Sequence, residues 1–212
     1  MKKQLGEISK ATIERMPLYL RFLQEESLRG AKYVSSSLIA QNIPVSAVLV
    51  RKDLSVVSSV PGKPKIGFEL TRLIRDIERF LGYDNLCDAV IVGAGSLGKA
   101  FLGYEGFKNN GLNILAAFDP EPKLAGVKIA GKRIYPLEEL EAYIARKKVN
   151  IGIITAPKEV AQETLDRLVA AGIKAVWNFA PAALKAPAGV IIKNEDLSSS
   201  LAFLAGRLKN GL

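Results

Sequence analysis

The chain has no histidine at all and one cysteine, Cys87, in 212 residues. Without His there is no imidazole base, no His-containing zinc site and no side chain whose ordinary pKa makes it a switch near neutral pH. A single Cys rules out an internal disulfide and a multi-cysteine metal cluster. No apolar run reaches the ~18 residues that a membrane span needs, and the opening stretch MKKQLGEISKATIERM lacks the apolar core of a signal peptide. Most hydrolase and metalloenzyme chemistries are thereby excluded, and a reduced, cytoplasmic setting without metal or membrane is expected.

What is present describes a globular protein. Hydrophobic residues make up 49% of the chain, and 30 Lys and Arg face 21 Asp and Glu, a net charge of +9. At ~100–200 residues per domain this length allows one domain or two small ones. Two textures meet near residue 86: residues 1–85 are helical in pattern with a charge excess of +5, and residues 86–212 alternate apolar strands with helices at +4. The denser basic character of the first part, with Arg51, Lys52, Lys63 and Lys65 against Asp53, marks it as the candidate phosphate-facing surface.

In the first part Ile13, Met16, Leu20 and Leu23 recur at helical spacing, with Pro17 either opening the helix or kinking it. A short helix capped by Ser36 carries Leu38 and Ile39. Gln41-Asn42-Ile43-Pro44 stops it, and Pro44 suits the first turn of a third helix from Val45 to Ser55. Two short helices joined by a tight turn form a helix-turn-helix candidate. The β-prone run Val56–Val60 and the basic turn Pro61–Ile66 read as a β-wing, Phe68–Leu81 returns to helical spacing, and a linker is expected at Tyr83-Asp84-Asn85. Arg51 could fork onto a guanine edge and Lys52 onto a phosphate, with Ser46, Lys63 and Lys65 as further DNA contacts. An ordinary solvated helix face remains the competing reading of the same residues.

The second part opens with the buried-strand run Ala89–Val92, followed by Gly93-Ala94-Gly95-Ser96-Leu97-Gly98 and a helical pattern. A strand Asn113–Phe118 ends at Asp119. Then come a helix 137–147, a strand 150–155, a helix 158–171, strands 174–179 and 190–192, and a last helix from about Asp196. Such alternation specifies a parallel sheet with helices on both faces. Gly93 permits the tight turn, Gly95 lets a pyrophosphate approach the backbone, and Gly98 lets helix and strand pack closely. Asp119 can accept hydrogen bonds from both adenosine ribose hydroxyls and would repel a 2′-phosphate, so NAD(H) is expected rather than NADP(H). A Rossmann-like sheet whose loop binds nothing, or only a mononucleotide, is the alternative.

The loops Thr155-Ala156-Pro157 and Asn178-Phe179-Ala180-Pro181 fall at the carboxyl ends of later strands, where ligand crevices lie, though ordinary turns with Pro would look the same. One of Trp177 and Phe179 is expected in the core and the other toward the crevice. Lys158, Tyr104 and Asp196 form no recognisable catalytic motif, and no room is left for a substrate domain. A cofactor site without a substrate domain points to sensing. The last helix carries Leu197, Leu201, Leu204 and Leu208 in one stripe that could cover its own sheet or a partner subunit. An NAD-dependent oxidoreductase or nucleotide-binding subunit with a basic protein-interaction domain is the second reading.

From end to end the chain resembles the Rex family of bacterial NADH-sensing transcriptional repressors. The resemblance rests on Val50-Arg51-Lys52-Asp53-Leu54-Ser55, the turn from Val92 to Gly98, Ala117-Phe118-Asp119, Ala161-Gln162, Ala171-Gly172-Ile173-Lys174 and Asn178-Phe179-Ala180-Pro181. It implies a homodimer of non-enzymatic repressors with a winged-helix domain over residues 1–85, a Rossmann NAD(H)-binding domain over 86–195 and a swapped dimerisation helix over 196–212. It further implies release of palindromic operator DNA when NADH binds, by a rigid-body closure that respaces the two recognition helices, with Arg21 and Tyr104 competing for Asp196. The chain departs from the family pattern after the recognition helix at Leu54–Ser59, in the wing Lys63–Phe68, and at Leu197, where an aromatic is expected.

Overall fold

A computed structural model describes residues 8–83 and 87–211, and the chain divides into two compact units, residues 1–85 and 86–212. The linker positions Asp84 and Asn85, residues 1–7 and the Leu197 side chain lie outside the described residues.

Unit 1 begins with α1 (Lys10–Leu28), started by Ser9, whose hydroxyl accepts from the Thr12 amide at 3.1 Å. Pro17 neither opens α1 nor breaks it, because it is exposed and removes a single amide donor from a long helix. Ile13 is exposed, and the inward face is instead Thr12, Met16, Tyr19, Leu20 and Leu23. Thr12 and Tyr19 can occupy it because their polar atoms find partners there. After β1 (Tyr33–Val34) come α2 (Ser36–Asn42) and α3 (Ala47–Val57). Ser35, not Ser36, caps α2 through the Leu38 amide, and Ser46 caps α3 through the Leu49 amide at 3.2 Å. The third helix therefore starts two residues after Val45, and Pro44 precedes it instead of filling its first turn.

The expected wing strand Val56–Val60 is not formed. Val56 and Val57 finish α3, where Val57 packs on the core beside Leu54, and burial outweighs β-propensity. β2 (Phe68–Glu69) pairs antiparallel with β1, and a bridge from Lys63 to Gly67 tightens the wing. Gly67 has φ +93°, and a Cβ there would collide with the Val34 carbonyl, so only glycine lets the wing close on β1. α4 (Leu70–Leu81) ends at Gly82 in the left-handed region, as its position predicts. Met16, Leu23, Ile39, Leu54, Leu73 and Ile77 fill the core.

Unit 2 has β3 (Cys87–Val92), α5 (Ser96–Gly103), α6 (Gly106–Asn109), β4 (Leu112–Asp119), β5 (Lys128–Ile129) and β6 (Lys132–Pro136). It continues with α7 (Leu140–Lys147), β7 (Ile151–Ile154), α8 (Lys158–Ala170), β8 (Ala175–Asn178), β9 (Ile191–Asn194) and α9 (Leu197–Lys209). The sheet order is β5-β6-β4-β3-β7-β8-β9, all parallel except β5 with β6. Strand alternation sends Val90, Val92 and Phe118 toward α7 and α8, and Ala89, Ile91 and Ala117 toward α5. The hairpin of β5 and β6 leaves no clear signal in the sequence: Lys128, Lys132 and Arg133 interrupt its apolar alternation at the sheet edge. The chain runs outward through β4 and β6 and returns to β7 beside β3, so the order reverses there and leaves a crevice at the strand ends. Among the described residues no helix is long and apolar enough to cross a membrane.

Candidate functional site

The glycine turn lies at that reversal and is stitched to both neighbouring strands. The Gly93 amide donates to the Phe118 carbonyl at 2.9 Å, the Thr155 amide to Val92 at 2.9 Å, and the Thr155 hydroxyl to the Gly93 carbonyl at 2.6 Å. Gly93 has φ +99°, and a Cβ on Gly98 would collide with the Gly93 carbonyl. A Cβ on Gly95 would meet nothing within 4 Å, and this residue opens α5 with no side-chain cap. The first-turn amides of α5, at Ser96 and Leu97, thus face open space beside a glycine, an arrangement that favours an anion. Asp119 closes the turn: its Oδ2 accepts from the Ala94 amide at 2.6 Å and its Oδ1 from the Glu121 amide at 2.9 Å. Each oxygen keeps a lone pair for a hydroxyl.

A cleft of about 640 Å³ runs from this turn along α8, within the range of small-molecule and cofactor sites. Of the residues expected to meet a cofactor, Gly93, Gly95, Asp119, Thr155, Ala156 and Pro157 line it, while Ala94, Ser96, Leu97 and Gly98 are not among its lining. Pro120, Leu137, Val160, Thr164 and Arg167, which no motif singles out, line it too. Arg167 is held by two bonds to Glu141, at 2.6 and 3.0 Å, and one to the Leu137 carbonyl at 3.0 Å. The Arg167 hydrogen bond and charge hold the Glu141 carboxyl below its usual range against a smaller opposing effect of burial. This pair makes a firm wall of α7 and α8.

Asn178 and Phe179 do not line the cleft. Asn178 is fully buried: its amide nitrogen donates to Ala180, Ala182 and Asn194, and its oxygen accepts from the Ala180 amide at 3.0 Å. It shapes the loop after β8 and has no donor left for a ligand. Trp177 on β8 and Phe179 just past its end share one side: their rings lie 4.7 Å apart and both pack with Phe101. The Trp177 indole donates to Glu195 at 3.0 Å, next to Asp196. Asp196 caps α9 through the Ser198 and Ser199 amides. Tyr104 lies edge-on to Phe107, 56% exposed, over Gly106, where any Cβ would strike the ring. Its hydroxyl makes no hydrogen bond among the described residues. Arg21, on α1 of unit 1, is 84% exposed beside Glu25.

On unit 1 a groove of about 770 Å³ runs between the α2–α3 pair and the wing, lined by Ser35, Ser37, Arg51, Ser55, Lys63 and Lys65. Sequence reasoning passes over the serines, though Ser35-Ser36-Ser37 is a visible cluster. Lys52 on α3 and Ser46 just before it are exposed outside that groove, and the Ser46 oxygen is engaged in the helix cap. Among the described residues none of Arg51, Lys52, Lys63 and Lys65 is in an ion pair. Three uncompensated cations in one groove, with a fourth beside it on α3, suit a polyanion.

Comparison with known proteins follows the same division. Residues 7–55 match the model of a putative DNA-binding protein N-terminus, and residues 84–182 that of a CoA binding domain. The chain is 40% identical over 193 residues to the redox-sensing transcriptional repressor Rex of Treponema denticola, covering 91% of each. It is 37% identical over 206 residues to that of Bacteroides fragilis, covering 97% of this chain and 93% of the relative. The solved structure of RSP in complex with β-NAD+ and operator DNA matches with a TM-score of 0.92 at 39% identity, over 99% of this chain and 95% of that one. RSP in complex with β-NADH matches at 0.87 and 38%, over 99% and 97%.

Proposed function

Because the chain belongs to the Rex family of redox-sensing transcriptional repressors, we infer that it binds operator DNA through unit 1 and releases it when NADH occupies the crevice of unit 2. The observation that carries the cofactor half of this reading is the uncapped start of α5 beside Gly95, with Asp119 at the end of the adjacent strand. The residues fit the group. The Ser96 and Leu97 amides would face the pyrophosphate, Asp119 the adenosine ribose, and Thr155, Ala156 and Pro157 the crevice wall. The nicotinamide supplies the signal through its oxidation state, and the protein needs no chemistry of its own.

The DNA half is supported by α3 and the wing, which present Arg51, Lys63 and Lys65 in one groove and Lys52 beside it. We read the assembly as a homodimer acting on palindromic DNA in the cytoplasm, without metal, in which α9 crosses to the second copy. Leu201, Leu204 and Leu208 are exposed along one side of α9, an apolar stripe that a lone chain leaves in water. Arg21, Tyr104 and Asp196 are the proposed switch. The test is titration of a specific DNA complex with NADH and with NAD+, read by gel shift and by heparin retention. NADH should dissociate the complex at lower concentration than NAD+, and a complex indifferent to both nucleotides would reject the reading.

A further inference from the structure

The inward face of α3 consists of Val50, Asp53 and Leu54. Asp53 is 2% exposed, between the aliphatic Val50 and Leu54 on that face. Its carboxylate accepts four hydrogen bonds, and every one comes from α1: Arg15 Nε at 2.7 Å, Arg15 Nη2 at 2.9 Å, Tyr19 OH at 2.8 Å and Thr12 Oγ1 at 3.1 Å. Thr12, Arg15 and Tyr19 form one stripe along α1 at i, i+3 and i+7. The next two residues back along α3, Lys52 and Arg51, point the other way and are exposed on the basic face.

Burying an ion pair is a poor route to stability, since an apolar replacement of similar volume often does as well or better. What it supplies is direction. Val50 and Leu54 tolerate a small rotation or slide of α3, because dispersion contacts vary gently with angle. A bidentate guanidinium, a phenol and a hydroxyl on one carboxylate do not, because hydrogen bonds weaken steeply off their axis. Resting on the reading of α3 as the DNA-reading helix, we propose that Asp53 is a positioning residue for DNA recognition. It locks α3 to α1 in one register, so that Arg51 and Lys52 meet the duplex at a fixed pitch and a displacement of α1 is delivered to them. Arg15, Tyr19 and Thr12 are the other half of the lock, and Arg21 sits farther along the helix that would carry the displacement.

The test uses the full-length protein and a duplex that the wild type selects from a random pool. Tyr19→Phe removes one of the four bonds without opening a cavity, and Asp53→Asn removes the charge at constant volume. Affinity for the selected duplex should fall about 3- to 10-fold per lost charge-assisted bond. Binding to random duplex, its salt slope and NADH affinity should stay within about twofold, because they use exposed cations and the other unit. The NADH-driven loss of affinity should shrink as well. A ratio of selected to random binding equal to wild type in Tyr19→Phe overturns the lock. So does a parallel fall of both bindings in step with urea stability, which assigns the cluster to folding alone. If Asp53→Asn does not fold, Tyr19→Phe and Arg15→Lys carry the comparison. A wild-type protein that selects no duplex overturns the DNA-binding reading itself, whereas selection with unaltered variants overturns only the lock.

Discussion

At the scale of single residues, Asp119 serves two partners at once. Its carboxylate holds the Ala94 amide at 2.6 Å and so shapes the glycine turn, while a free lone pair remains for a ribose hydroxyl. Asp119→Ala is therefore predicted to weaken NADH binding by roughly 1–3 kcal/mol, the scale of a charge-assisted hydrogen bond lost from a partly buried site. Asp119→Asn should lose less, because its amide oxygen still accepts from Ala94. Fluorescence titration measures both, and unchanged affinity in the Ala variant would show that this turn is not the adenosine site. The cluster at Asp53 gives a second prediction, in pH. Burial by itself raises the Asp53 pKa, but the hydrogen bonds from Arg15 and Tyr19 and the Arg15 charge outweigh it and leave the carboxyl below its ordinary value. Its contribution to stability is present above the unfolded carboxylate value of about 3.9 and is lost as pH falls through the lower folded value. Tyr19 is pushed up to about 12, by burial first and then by its bond to Asp53. That contribution is present below the unfolded value of about 10 and is lost as pH rises toward about 12. Urea melts should lose the acidic slope in Asp53→Asn and keep a reduced alkaline one, since burial of Tyr19 remains; equal slopes in variant and wild type would reject the assignment.

At the scale of elements, the proposed reading has α3 and the wing divide the work of binding DNA. Arg51→Ala is predicted to lose ~1–3 kcal/mol of discrimination for the correct base pair, whereas Lys63→Ala should weaken selected and random duplexes alike and flatten the salt slope by about one unit. Binding isotherms at several salt concentrations separate the two, and wild-type behaviour in both would discard the winged-helix reading. These elements also mark how far the sequence is legible. Long periodic segments such as α4, with Gly82 behind it, follow from spacing because an amphipathic face has one way to be buried. The wing does not: Val56 and Val57 carry strand propensity but are claimed by the helix core, and the two-residue strands β1 and β2 are too short to leave a pattern. Around the crevice, Gly93, Gly95, Gly98 and Asp119 are readable because a tight turn, an open helix start, close helix–strand packing and an acceptor at the next strand's end demand those types at that spacing. Leu137, Val160 and Arg167 are not, since any helix face can be turned into a crevice by tertiary packing. Asn178 is ambiguous in the sequence because a polar residue at a strand end looks the same whether it serves a ligand or, as its hydrogen bonds here do, its own loop.

At the scale of the whole molecule, the proposed device needs two copies and a coupling between cofactor and DNA. The exposed stripe of α9, with Leu208 82% exposed, is the natural cover for a second copy. Leu204→Glu should therefore shift sedimentation from dimer toward monomer and weaken operator binding, and an unchanged dimer would remove α9 from the interface. Coupling is the finer question. Tyr104 has a hydroxyl without a partner among the described residues, and Asp196 has a carboxylate oxygen engaged only at the start of α9. If they join in the NADH-bound form, Tyr104→Phe should leave NADH binding near normal but reduce NADH-driven release from DNA. Removing one hydroxyl changes a hydrogen bond of ~1 kcal/mol, and an effector shifts an equilibrium only by its differential affinity for the two states. The coupling should thus fall several-fold without vanishing, and by reciprocity DNA should oppose NADH binding less in the variant than in the parent. On the proposed switch Arg21→Ala should act in the opposite sense, favouring the released form, since Arg21 is there the competing partner for Asp196. The measurement is the NADH concentration for half-release beside the NADH affinity without DNA, on the same preparation. A Tyr104→Phe variant that moves both by one factor makes Tyr104 a ligand contact and ends the case for the switch.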